Sequence, residues 1–255
     1  MNITTIFAIE RIKLGRLGNY ILLSLMIVLN LAISLLLFYQ FNSSENETVP
    51  IFDISRQILQ AQSGIASILI SIFIILNIGK EYQNGTLRKN LIDGYSRNDF
   101  YIGKLLILLT GVLLAFIIGI ISLFLGSLIF HSLNDFANMI SISFLINFLV
   151  EIFYDGLFAL FLVVVSKKIS LSLVFYFLWG MIEGIAVGIQ STYINNNEGE
   201  TPFILLNEYL PKASLKLVLK LTDLVEPKAI LITSVYIFLF TFLPYFLFRK
   251  SDIKS

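Results

Sequence analysis

The sequence predicts an all-α integral membrane protein with six transmembrane helices. Three observations carry that expectation. The chain of 255 residues is 57% hydrophobic and only 14% charged, whereas a soluble domain carries about a quarter charged residues. Its apolar residues gather into six runs of roughly 20 residues or more, the length that crosses about 30 Å of hydrocarbon as helix. The runs are continuously apolar and lack the period-2 alternation of a membrane β-barrel.

The spans are expected over Leu17–Phe41, Ile54–Ile78, Leu105–Phe130, Met139–Val165, Leu171–Ile189 and Ala229–Phe248. Residues 1–255 then form a single transmembrane domain. Its soluble pieces are an N-terminal segment over 1–16, a loop over 79–104 and a second long loop over 190–228. The first run stands behind Glu10, Arg11, Lys13 and Arg16 without a small-residue cleavage site. It reads as a retained span and not as a signal peptide.

Six spans place the soluble pieces alternately on two sides. The side holding residues 1–16, 79–104, Lys167-Lys168 and the tail from Arg249 carries 13 of the 18 Lys and Arg residues. The positive-inside rule makes that side cytoplasmic, with both termini there.

The loop GKEYQNGTLRKNLIDGYSRNDFYIGK, Gly79 to Lys104, holds the most specific pattern. Thr86 reads as an N-cap, LRKNLID as a helix body and Gly94 as its C-cap. Ser96 with Asp99 three residues on makes a capping-box start for the next helix. A capped helix between two spans on the basic side suits docking of a soluble partner.

This segment resembles the first cytoplasmic loop of ABC-2-type transporter permeases. In that family a Glu–aromatic pair, a Gly-Thr-Leu-Arg core and a downstream Ser-Arg recur; here they are Glu81-Tyr82, Gly85-Thr86-Leu87-Arg88 and Ser96-Arg97. The resemblance implies a permease subunit of an ATP-driven exporter in the bacterial cytoplasmic (inner) membrane. It also implies a dimer with a second permease copy, homo- or heteromeric, and a separate nucleotide-binding ATPase subunit that hydrolyses ATP. The residues implied to couple to that ATPase are Glu81, Tyr82, Gly85, Thr86, Leu87 and Arg88, together with roughly residues 1–16.

The loop after the fifth span opens on Asn195-Asn196-Asn197 and Glu198-Gly199-Glu200, a solvated turn. Pro211 fits the first position of a helix running to about Val225. Lys212, Lys216 and Lys220 share one stripe while Leu217, Leu221 and Leu224 face elsewhere. Such a helix is expected to lie in the outer interface, either sealing the bundle or guiding substrate.

Three acids fall inside spans: Glu151 and Asp155 in the fourth and Glu183 in the fifth. Charge at membrane depth is costly, so such groups face a bundle interior or water. Glu151 and Glu183 lie at one depth, about 23 Å from the basic ends of their helices at 1.5 Å per residue. No Lys or Arg stands at that depth in any span. The acids either line a polar path or are neutral carboxyls bonded at a helix interface. A proton-coupled secondary transporter using them as a relay is the alternative function.

Other chemistries lack their residues. There is no Cys and one His, His131, so neither a thiolate site nor an HExxH centre can form. Neither Gly79-Lys80 nor Gly103-Lys104 has the preceding glycine of a Walker A loop. A net charge of +1 gives no electrostatic case for nucleic acid. No catalytic residue, metal site or cofactor is expected in this chain.

Overall fold

A computed structural model describes residues 3–14, 17–43, 51–92, 94–130, 142–196, 209–212 and 227–250. Among the described residues there are eight helices and no strand. They are α1 (Ile3–Leu14), α2 (Leu17–Ser43), α3 (Ile51–Gln83), α4 (Thr86–Ile92), α5 (Arg97–Phe130), α6 (Ile142–Ser166), α7 (Ile169–Asn196) and α8 (Pro227–Lys250). All but α1 and α4 are long and apolar enough to cross a membrane. The chain is a multi-pass membrane protein, and each expected span falls on one of these six.

Helices α3 and α6 form the centre and make the most extensive contact with each other. Around them α2, α7 and α8 turn most of their surface outward. On α7 that surface includes Phe175, Met181, Ile182, Ile185 and Ile189. A patch of this size would be untenable in water and is ordinary against lipid tails.

The segment 79–104 is mostly helix. α3 continues to Gln83, and α5 begins at Arg97 because the expected capping box forms. Ser96 N–H and Oγ donate to Asp99 Oδ2, at 3.3 and 2.7 Å, and Asp99 N–H donates back to Ser96 Oγ at 3.1 Å. These helices have 33 and 34 residues, about 50 Å each at 1.5 Å per residue. Both project well beyond a hydrocarbon layer.

The described parts of α1, α4, the α6–α7 turn and the end of α8 gather at one end of the bundle, hereafter the basic end. The turn is tight. Lys167 takes φ 54°, and Ser166 and Ser172 share a hydroxyl–hydroxyl bond of 2.6 Å across it. The α7 start lies so close to α3 that a Cβ on Gly79 would stand 2.5 Å from Ile169 Cγ1. α8 is tied to α5 by Arg97, which donates to the Arg249 carbonyl, and by Tyr245 Oη donating to Asn98 Oδ1 at 3.1 Å. An arginine on the last carbonyls of a helix also complements its dipole.

Inside the bundle, Gln62 on α3 is the polar knot of three helices. Its Nε2 donates to Ser34 Oγ on α2 at 2.9 Å and to Ser122 Oγ on α5 at 2.7 Å. Nearer the basic end, Asn19 on α2 and Asn77 on α3 exchange amide bonds of 3.3 and 3.1 Å. Where lipid offers no competing partner, such bonds fix the rotation of helices that tails alone would leave free.

Candidate functional site

Two polar clusters stand out. The first is at the basic end. Lys104 Nζ lies 2.8 Å from Glu10 Oε2 and 2.7 Å from Glu81 Oε1. All three side chains are buried. The ammonium also sits 4.6 Å above the Phe100 ring, whose other packing partner is Phe248 at 4.9 Å. The triad thus joins α1, the end of α3 and the first turns of α5. α1 can reach it because position 103 is glycine. A Cβ there would stand 3.2 Å from Glu10 Cγ and 3.3 Å from Ile6 Cγ2. Tyr95 completes the wall. Burial first, then the charges of Glu10, Asp99 and Glu81, push its phenol well above the usual tyrosine range.

Above the triad stands α4. Its start differs in detail from the expectation. Gly85, at φ 65°, holds the N-cap place, its carbonyl accepting from Lys89 N–H at 3.2 Å. Thr86 instead turns its hydroxyl back to the Glu81 carbonyl at 3.4 Å. The end agrees with expectation. Gly94 takes φ 93°, its N–H donates to Leu91 O at 3.3 Å, and Tyr95 N–H donates to Asn90 O at 2.9 Å. That pair of bonds is the Schellman motif.

The expected coupling residues therefore divide. Glu81 and Leu87 face inward and are buried, Tyr82 and Thr86 are half-buried, and Gly85 shapes the turn. Arg88 lies on α4 by its backbone, its side chain outside the described residues. The outward surface of α4 is instead Lys89 with Ile92, the latter 75% exposed. Glu10 and Lys104 were not singled out in the sequence. The available signal was a lysine at the very start of the third apolar run, where only a buried partner justifies it.

The second cluster lies midway along α6 and α7. Glu151 Oε2 accepts from Ser63 Oγ on α3 at 2.5 Å. Asp155 Oδ2 accepts from Tyr176 Oη at 3.3 Å, and its Oδ1 lies 3.3 Å from Lys212 Nζ. Glu183 accepts from the indole N–H of Trp179 and, through Oε2, from the backbone N–H of Lys212 at 2.9 Å. The Lys212 ammonium stands 4.4 Å over the Tyr176 ring.

This arrangement differs from the expectation for Lys212, through which Asp155 and Glu183 meet. No span supplies a cation at that depth, but the loop before α8 does. Lys212 is not on an interfacial stripe. It reaches in to Asp155, because an ammonium bonded to a carboxylate and an aromatic face is better placed than either charge alone in a low dielectric. Residues 213–226, which hold the rest of the expected outer helix, lie outside the described residues.

No family model matches this chain, and no curated protein is similar to it at a significant level.

Proposed function

We propose that the chain is the permease subunit of an ATP-driven ABC-2-type exporter. It would sit in the bacterial cytoplasmic membrane with both termini inside. Two copies, or one copy and a homologous permease, would enclose the path, and a separate ATPase subunit would hydrolyse ATP. The observation that carries this reading is α4. It is a short helix, closed at both ends by glycines at positive φ, that joins two long spans. The buried Glu10–Lys104–Glu81 triad beneath it fixes its base to α1. Lys89 and Ile92 face outward, so an exposed apolar side chain is available to a partner beside a cation that can steer its approach.

In this reading ATP closes the paired ATPases and pushes α4. Lys104, clamped to Glu81 at the α3 end and to Glu10 on α1, carries the push into α5 and α1 as one body. The bundle then shifts between inward- and outward-facing states. The mid-bundle carboxyls support the alternative, a proton-coupled secondary transporter. That alternative gives α4 and its clamp no role.

The test is co-purification with the ATPase encoded beside this chain, identified by GxxxxGK[ST]. Lys89→Glu with Ile92→Asp should release the ATPase and stop ATP-dependent transport while the permease keeps its melting temperature. Full ATPase stoichiometry in the double variant, or a neighbourhood without any such ATPase, would overturn the reading.

A further inference from the structure

The cluster where α6 meets α7 and α8 has the make-up of a cation receptor. Asp155 supplies a carboxylate and Tyr176 a ring face, and together they hold one alkylammonium, that of Lys212. Phe158 packs against Tyr176 at 6.2 Å, Trp179 at 6.5 Å and Phe240 at 5.0 Å, so the walls are aromatic. A carboxylate with aromatic faces is the arrangement that recognises organic ammonium groups.

Two further observations point to exchange in place of a permanent contact. The Lys212 side chain keeps 23% of its surface exposed, and it comes from outside the six spans. Tyr154, adjacent to Asp155 in the chain, is fully buried, yet its hydroxyl has no hydrogen-bond partner. Its ring packs edge-on against Phe240 at 5.7 Å, the ring that Phe158 also contacts. A buried donor left without a partner is costly unless something else completes the site.

We propose that the site formed by Asp155, Tyr176 and Glu183 binds the ammonium head of an amphipathic organic cation, and that Lys212 occupies it as a tethered stand-in. The proposal deepens the permease reading and rests on it, since a receptor inside a membrane bundle serves transport.

The experiment uses the full-length protein in phosphatidylcholine nanodiscs, with neither ATPase nor ATP. Its outcome is therefore separate from that of the exporter test. Trp179, the only tryptophan in the chain, reports on the site through its bond to Glu183. The probe is n-hexylammonium and the neutral control n-hexanol. Lys212→Ala should give a saturable fluorescence change with hexylammonium at least ten-fold tighter than wild type, and none with hexanol. Adding Asp155→Asn should weaken it at least ten-fold. A non-saturating response, an equal response to hexanol, or binding that survives Asp155→Asn would overturn the proposal. Lys212→Met, which keeps length and loses charge, repeats the test if the alanine variant aggregates. Failure of both variants to fold would make the Lys212 ammonium a structural ion and overturn it equally.

Discussion

Lys104 and Glu81 stand 23 residues apart in the chain and 2.7 Å apart in space, and the whole of α4 lies between them. Their bond closes the base of the connection between α3 and α5 in a buried place, so its energetics are those of an internal ion cluster. Removing one member of such a cluster leaves charge without compensation.

Lys104→Met should therefore destabilise the protein by about 3–5 kcal/mol, the cost of breaking a buried pair from one side. The triple variant with Glu10→Gln and Glu81→Gln should recover much of that loss, because no buried charge is then stranded. Thermal unfolding of the detergent-solubilised variants checks the order. A triple variant weaker than the single one would contradict it.

A smaller effect is expected at the end of α4. Gly94→Ala forces a side chain into a left-handed backbone at φ 93°, costing about 1–2 kcal/mol. Gly94→Asn should cost less, since Asn tolerates that region. Amide exchange at Leu91 and Tyr95 should quicken in the alanine variant and leave mid-bundle amides unchanged.

Much of the fold was legible because span length and cap chemistry are local. Six apolar runs, the Gly94 turn and the Ser96–Asp99 box need nothing beyond a few neighbouring residues. α1 was not legible. ITTIFAIERIKL has no long apolar stripe, and its burial rests on Glu10 meeting Lys104, a contact across 94 residues. Lys212 was misplaced for the same reason. By spacing it falls on an expected basic stripe with Lys216 and Lys220, and only the distant Asp155 draws it inward.

In the carboxyl cluster, Glu151→Gln keeps an acceptor for Ser63 and should cost less than about 1 kcal/mol, close to the mean for an interhelical bond in a bilayer. Glu151→Lys places a cation against a hydroxyl at membrane depth, a change that should prevent insertion or folding. Expression and monodispersity of the two variants measure this. Transport by Glu151→Gln also separates the mechanisms, because a proton relay through this residue stops while an ATP-driven permease continues.

Gln62→Leu should cost about 1–2 kcal/mol, the sum of two modest interhelical bonds. Ser122 is not stranded, because its Oγ donates to the Gly119 carbonyl at 2.9 Å, whereas the buried Ser34 hydroxyl loses the bond it accepts from Gln62. Replacing Ser34 and Ser122 by Ala in the leucine background should then be nearly additive-neutral. A further loss above about 1 kcal/mol would show coupling beyond the shared amide.

The stacking of Phe248 on Phe100 bears on biogenesis. Phe100 carries Lys104 on one side and the last turn of α8 on the other. The same short stretch of α5 is thus gripped by α1 and α8, which are synthesised more than 200 residues apart. During insertion α5 has α1, α2 and α3 as its earlier partners, and its Phe100 surface is completed only when α8 follows. Phe248 on Phe100, Arg97 on the Arg249 carbonyl and Tyr245 on Asn98 then mark together that the final helix has arrived.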